Sequence, residues 1–142
     1  MMSNTTSGAG LYESGDIVIF SDYHKDTYER TGNVPGTKEY YFRVKGKYRP
    51  MLVIKREENK SEYRVLRFTS RASDPRVLWK KANGSPRSLG KDFGLDHQSF
   101  LRLEPHEIKH HKEASERIFR IERQLFEQIE KERHNRMLQA PE

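Results

Sequence analysis

Cysteine is absent from this chain of 142 residues, which excludes disulfides and thiolate metal ligands. Apolar residues are also scarce, at 33% against 34% charged residues, and no apolar run approaches the roughly 20 residues that cross a bilayer. Residues 1–10 lack the basic and apolar regions of a signal peptide. We therefore expect a cytoplasmic protein without membrane contact, with one thin core and a disordered N-terminal tail over residues 1–10.

The net charge of +6 is concentrated in one part of the chain. Residues 43–102 contain 16 lysines and arginines against 6 acidic residues, a net charge of +10. By the same count, residues 1–42 carry −3 and residues 103–142 carry −1. Because a localised basic field attracts polyanions, nucleic acid is the expected class of partner.

Alternating apolar and polar residues, rich in β-branched and aromatic types, predict short strands. The predicted strands are Asp16–Phe20, Tyr40–Val44, Met51–Lys55, Tyr63–Thr69, Val77–Lys80 and Ser99–Leu103. Two longer polar connections, Ser21–Glu39 and Ala82–Gly94, are expected to be surface loops that either fold over a ligand or stay flexible. Short strands joined by short turns favour a strongly curved, partly closed sheet.

The composition changes after Pro105, where glycine disappears and apolar residues recur at helical spacing. The recurring residues are Ala114, Ile118, Ile121, Leu125 and Ile129. This pattern predicts one long C-terminal helix over residues 105–138. A helix of some 30 residues extends about 45 Å at about 1.5 Å per residue. We expect part of it to overhang the β domain and pair with a second copy, with a partner protein or solvent as alternatives.

Four short motifs follow one another along the β-rich part of the chain. They are Gly15-Asp16 before a strand, Arg49-Pro50 entering a strand, Thr69-Ser70 leaving a strand, and Gly94-Leu95 ahead of Ser99 and an apolar strand. In this order and spacing, the chain resembles the PemK/MazF family of ribonuclease toxins over roughly residues 13–108. The resemblance implies a small SH3-like barrel over residues 11–104, usually a homodimer, with the first three motifs gathered at one end of it.

The resemblance also implies an activity, that of the toxin in a toxin–antitoxin pair. Family members are endoribonucleases that cleave single-stranded RNA without a metal or cofactor, leave 2′,3′-cyclic phosphate and 5′-hydroxyl ends, and bind an acidic antitoxin. The catalytic arginine and threonine of the family correspond to Arg49 and Thr69. A guanidinium offers a permanently charged fork for phosphate oxygens, and a hydroxyl adds an oriented donor.

Basic and aromatic residues near this pair in the sequence suit splayed single-stranded RNA. We expect the substrate-binding residues to be Lys45, Lys47, Tyr48, Arg67, Ser70 and Arg71. Trp79 is a further candidate for base stacking. Phe68 lies in an alternating strand, so we expect it in the core.

Two other functions remain open at this stage. One is a non-catalytic barrel of the same ancestry that binds nucleic acid or a protein partner. The other is a helix-mediated adaptor, which would show no salt-sensitive affinity for nucleic acid. The segment from His106 to His110 matches the zinc motif H-E-x-x-H, but no third ligand or family continuation follows it, so we assign no metal site.

Overall fold

The structure is a computed structural model, and it describes residues 11–22, 28–33, 40–44, 47–57, 61–72 and 75–139. The strands in these ranges are β1 (Asp16–Asp22), β2 (Tyr28–Asn33), β3 (Tyr40–Val44), β4 (Lys47–Glu57), β5 (Glu62–Thr69), β6 (Phe100–Leu101), β7 (Glu107–His110) and β8 (Ala114–Arg120). They are followed by helix α1 (Arg123–Gln139), and 3₁₀ turns occupy Pro75–Val77, Lys91–Phe93 and His111–Glu113. The expected tail over residues 1–10 lies outside the described residues.

Six of the strands form one antiparallel sheet with the order β6-β5-β4-β1-β8. Strand β7 pairs with the first half of β5, whereas β6 pairs with its last two residues. Strands β7 and β8 therefore lie on opposite sides of the sheet, yet only the turn at His111–Glu113 joins them, so the sheet is strongly curled. The expected mainly β fold with a C-terminal helix is confirmed. The sheet is not closed into a barrel, because no β7–β8 ladder forms between these two described strands.

Both faces of this sheet are covered by apolar side chains. Because successive side chains of a strand point to opposite faces, strands β1, β4 and β5 each contribute to both cores. The smaller core lies on the face that carries Val18, Phe20, Met51, Val53, Tyr63 and Val65. The larger core covers the opposite face and contains Ile17, Leu52, Ile54, Leu66, Trp79, Leu89, Leu95, Leu101, Leu103, Ile121 and Ile129. Each fully buried side chain of this kind contributes about 1.5–3 kcal/mol through removal from water.

The predicted strands before residue 70 are confirmed with small extensions, but the segment 77–103 differs from the prediction. Leu78 and Lys80 form single bridges to Arg102 and Pro86 in place of a strand. The Lys80–Pro86 bridge is held by the Lys81 N–H, which donates to the Ser85 carbonyl at 2.8 Å, and by the Arg87 N–H, which donates to the Trp79 carbonyl at 2.9 Å. The predicted strand Ser99–Leu103 is reduced to β6.

In their described parts, neither long connection is a simple surface loop, and residues 23–27 and 34–39 of the first lie outside the described residues. The segment 21–39 contains β2, which pairs with β3 in a separate two-stranded sheet. The segment 82–94 packs Leu89 into the larger core, where this side chain is only 6% exposed. Its Arg87 guanidinium lies 4.4 Å from the centre of the Trp79 ring.

The predicted helix over residues 105–138 is wrong for its first half, where β7, a 3₁₀ turn and β8 occur. Strand β8 pairs with β1 from Asp16 to Phe20 and so satisfies backbone groups that a helix would leave open at the edge of β1. This tertiary hydrogen bonding outweighs the helical spacing of the apolar residues. The helix begins only at Arg123.

Helix α1 is docked on the β domain and does not overhang it. Its Ile129 side chain is fully buried in the larger core. The Arg133 Nε donates to the Leu103 carbonyl at 3.0 Å, and the Arg136 Nη2 donates to the Leu78 carbonyl at 2.6 Å. The expected overhang is therefore wrong, and the pairing of two copies stays a prediction. No helix within the described ranges is both long enough and apolar enough to span a bilayer.

Candidate functional site

Only two of the three predicted motifs lie at the same end of the sheet. In the antiparallel β1–β4 ladder, Phe20 pairs with Arg49 and Ile17 pairs with Leu52. The start of β1, with Gly15-Asp16, therefore lies beside the far end of β4. The expectation that this motif joins the other two is wrong, because antiparallel neighbours place the start of one strand against the end of the next.

Arg49 and Thr69 stand near the matching ends of two paired strands. The β4–β5 ladder pairs Met51 with Arg67, and Arg49 and Thr69 lie two residues further along their strands in the same direction. Side chains two residues apart share a face, so all four belong to the face of the smaller core. The Arg49 side chain is 45% exposed. The Thr69 hydroxyl oxygen accepts the N–H of Arg71 at 3.2 Å.

A buried carboxylate that the sequence prediction did not identify lies beneath Arg49. Asp22, the last residue of β1, has a side chain that is 2% exposed. It accepts two hydrogen bonds of 2.7 Å from the two Nη atoms of Arg67. The Arg49 Nε lies 3.1 Å from the Asp22 Oδ2, and the Lys109 Nζ lies 3.7 Å from the Oδ1. One carboxylate thus gathers three cations from three strands.

Two further carboxylates contact the cations around Asp22: Glu107 contacts Arg67, and Glu113 contacts Lys109. Glu107 binds Arg67 through the Arg67 Nε and through Nη2, the latter bond being 2.9 Å long. Lys109 donates to the Ser21 carbonyl at 2.9 Å and lies 3.4 Å from the Glu113 Oε2. We call the six charged residues the Asp22 cluster: Asp22, Arg49, Arg67, Glu107, Lys109 and Glu113.

Arg67 is engaged by two carboxylates, and its predicted contact with substrate stays a prediction. Hydrogen bonds from its guanidinium to Asp22, and next to Glu107, raise the pKa of Arg67 above its ordinary value. Arg67 therefore stays charged at every working pH, and both edges of its guanidinium are occupied. It ties β5 to β1 and β7 across the end of the smaller core.

The Asp22 cluster is dense in charge but balanced, with three cations and three carboxylates. A phosphate bound at Arg49 would therefore be held mainly by hydrogen bonds from oriented N–H donors, because the cluster has no net positive charge to attract it. The sequence carries one signal that identifies Asp22. Along β1 it continues the period-two series of Val18 and Phe20, and an acidic residue at an inward position requires a cationic partner.

The other predicted substrate residues are distributed over different surfaces. Ser70 and Arg71 are exposed just after β5. Tyr48 is 65% exposed, but strand alternation directs it to the opposite face of β4 from Arg49. Lys47 lies in β4 opposite Asp22 in the ladder, and Lys45 lies outside the described residues.

Of the two aromatic candidates, only the prediction for Phe68 is confirmed. Phe68 packs against the larger core. Trp79 is only 2% exposed, so its proposed use in base stacking is wrong. The Arg87 guanidinium lies over its ring, and Phe93 contacts the ring edge-on.

The H-E-x-x-H segment does not have the helical geometry that zinc binding by this motif requires, because most of it forms β7. Within the described ranges, no three acidic or histidine side chains group closely enough to hold a metal ion. His110 instead lies 3.5 Å from the Glu62 carboxylate.

The Arg49 end of the sheet offers a half-exposed guanidinium on the same face as a hydroxyl. These are two donor types that bind phosphate oxygens. No model of a protein family and no curated protein matches this chain. The PemK/MazF resemblance therefore stays a prediction that rests on the sequence motifs.

Proposed function

We propose that this protein is a metal-independent endoribonuclease of the PemK/MazF type, the toxin of a toxin–antitoxin pair. Its substrate is single-stranded RNA, and its catalytic residues are Arg49 and Thr69. The observation that carries the proposal is the position of these two residues at matching ends of β4 and β5, on one face, with the guanidinium 45% exposed.

The reaction needs no group beyond the RNA itself and donors for its phosphate. The ribose 2′-oxygen loses its proton to water and bonds to the adjacent phosphorus, while the bond from phosphorus to the 5′-oxygen breaks. That oxygen takes up a proton, which leaves a cyclic phosphate and a 5′-hydroxyl. Arg49 and Thr69 stabilise the charge that builds on the phosphate oxygens, and donors aimed in this way contribute about 3 kcal/mol each.

The proposal extends to the fold and the partners. The curl that lets a three-residue turn join strands at opposite sides of the sheet supports an SH3-like barrel. The net charge of +10 over residues 43–102 supports RNA as substrate and an acidic antitoxin as inhibitor. A homodimer is part of the proposal through the family resemblance alone.

The test is cleavage of a long mixed RNA by the purified protein in chelator, with sequencing of the 5′ ends. We expect defined cuts with 5′-hydroxyl ends. Arg49→Ala and Thr69→Val should each reduce cleavage at least about 100-fold. Arg123→Ala is the matched control, because it removes the same charge from a side chain that is 86% exposed at the start of α1. Cuts that persist in Arg49→Ala, or no cuts with the unmodified protein, would overturn the proposal.

A second candidate function is a non-catalytic barrel that binds nucleic acid or a protein. The observation that favours it is the buried Asp22 carboxylate 3.1 Å from Arg49, which engages this guanidinium in an ion pair and so draws it away from catalysis. This candidate predicts salt-dependent retention of RNA without any cut. The same purified protein and RNA distinguish the two functions.

A further inference from the structure

We infer that Asp22 is the positioning residue for Arg49, and that its negative charge raises the rate of RNA cleavage while lowering RNA affinity. This inference rests on the proposed function and deepens it. It starts from the geometry of the Asp22 cluster, in which Asp22 is almost fully buried and Arg49 is not.

The Asp22 carboxylate is held in one orientation by its neighbours. Both of its oxygens accept 2.7 Å bonds from the two Nη atoms of Arg67. A paired, two-bond contact between planar groups fixes the carboxylate in rotation as well as in position. Glu107, on β7, binds the other edge of the Arg67 guanidinium. Contacts from β7 to β5 and from β5 to β1 therefore fix the orientation of the Asp22 carboxylate.

The fixed carboxylate in turn restrains Arg49. The Asp22 Oδ2 lies 3.1 Å from the Arg49 Nε, the guanidinium nitrogen nearest the Arg49 backbone. The donors of Nη1 and Nη2 are the ones that bind a phosphate in a forked contact. A long, half-exposed arginine samples many rotamers, and a displacement of about 1 Å at a reacting centre reduces the rate about 100-fold. Anchoring the Nε therefore favours one pose of the outer edge.

The same contact weakens the attraction of Arg49 for RNA. The cluster has no net charge, and replacing Asp22 with a neutral residue changes its net charge to +1. A phosphate close to Arg49 would then lose a repulsive neighbour. Two measurable quantities should thus change in opposite directions, whereas mere structural damage would weaken both.

The experiment compares Asp22→Asn with the unmodified full-length protein. Single-turnover cleavage of an RNA oligonucleotide gives the rate, and the same oligonucleotide with a 2′-deoxy sugar at the cut site gives the affinity. We expect the rate to fall by about tenfold or more. The Kd of the deoxy oligonucleotide should tighten about threefold. Asp16→Asn is the matched control, since this carboxylate is equally buried at the other end of β1, and it should change neither quantity.

A second variant keeps the inference testable if Asp22→Asn does not fold. Glu107→Gln leaves Asp22 charged but weakens the hold on Arg67, and the Glu107 side chain is 33% exposed. It should lower the rate about threefold and tighten the Kd by less than Asp22→Asn does, because Glu107 contacts Arg67 and not Arg49 in the recorded bonds of that guanidinium.

Two results would overturn the inference: an unchanged rate in a folded Asp22→Asn protein, or a rate and an affinity that weaken together. If Asp22→Asn is unfolded, an unchanged rate in Glu107→Gln would do so. Absence of cleavage by the unmodified protein would instead overturn the proposed function.

Discussion

The two ends of β1 each carry a buried carboxylate, but the arginines around them are arranged differently. At the start of the strand, the fully buried Asp16 accepts bonds from Arg120 at 2.6 and 3.1 Å, and Arg117 lies 3.8 Å away. Both arginines come from the neighbouring strand β8, and their side chains are about half exposed. At the other end, Asp22 binds Arg67, which crosses from β5 and is 22% exposed.

This difference shows how each end of β1 is tied to the rest of the fold. Asp16 also accepts the N–H of Glu13 at 2.9 Å, and the Ile121 N–H donates to the Gly15 carbonyl at 3.0 Å, so this end ties the entry of β1 to the segment before α1. Hydrogen bonding to Asp16 raises the pKa of Arg120. At the Asp22 end, carboxylates engage both edges of Arg67, and Arg49, from another strand, is 45% exposed.

The largest effect on stability should come from removing the crossing arginine. Arg67→Met leaves Asp22 and Glu107 without their shared cation in a largely buried site, so the free energy of unfolding should fall by about 3 kcal/mol. The matched change at the other end, Arg120→Met, should lower it by less than about 1 kcal/mol, because that side chain is 50% exposed. Urea denaturation measures both, and equal losses would remove the distinction between the two ends.

A smaller effect tests whether the Asp16 end depends on packing as well as charge. Gly94 has a φ of 69°, and a Cβ there would lie 3.0 Å from the Ile118 carbonyl oxygen and 3.1 Å from the Phe119 Cβ in β8. Gly94→Ala should lower the free energy of unfolding by about 2 kcal/mol, from backbone strain and crowding together. Gly84→Ala is the control, since its φ is 87° but, among the described residues other than its chain neighbours, no atom lies within 4 Å of its Cβ position. It should lose only about 1 kcal/mol, and an equal loss in both variants would exclude crowding.

The smallest effect on stability should come from the Tyr63 hydroxyl, a neutral hydrogen-bonded group in the smaller core. The Tyr63 hydroxyl accepts the Tyr12 N–H at 3.2 Å and lies 2.8 Å from the His111 Nδ1. Tyr63→Phe should lower the free energy of unfolding by about 1 kcal/mol at neutral pH. Urea denaturation at pH 7 measures this loss.

The same variant has a defined dependence on pH. Burial raises the pKa of Tyr63 above its ordinary value of 10.0. Above pH 10 the unfolded chain therefore loses this proton before the folded chain does, so the contribution of Tyr63 is complete below pH 10 and declines as the pH rises through the raised pKa. The difference between the unmodified protein and Tyr63→Phe should shrink from pH 8 to pH 11. A difference in the free energy of unfolding that stays constant over this pH range would show that the pKa of Tyr63 is not raised.

Much of the sheet could be predicted from the sequence, because alternation reports burial directly. Strands β1, β3, β4 and β5 occur where the pattern placed them, and Phe68 packs against the larger core. The segment from Glu107 to Arg120 could not be assigned in this way. Its apolar spacing fits a helix, and only the open edges of β1 and β5 make strands more favourable there.

The candidate site was predictable in part. Arg49 and Thr69 follow from motifs at strand ends, and the register of β4 and β5 brings them to one end. The partners of Arg67 were not predictable, because Asp22 and Glu107 lie 45 and 40 residues away and meet it only across strands. The sequence likewise gives no sign that the Trp79 ring is covered, because its contacts with Arg87 and Phe93 form only in the folded chain.

The amino-acid sequence alone determined the charge distribution, the absence of cysteine and most of the strands, since each depends on composition or on local periodicity. Only the tertiary structure decided which charges are free and which are paired. Pairing depends on contacts between residues far apart in the chain, and local spacing carries no information about those contacts.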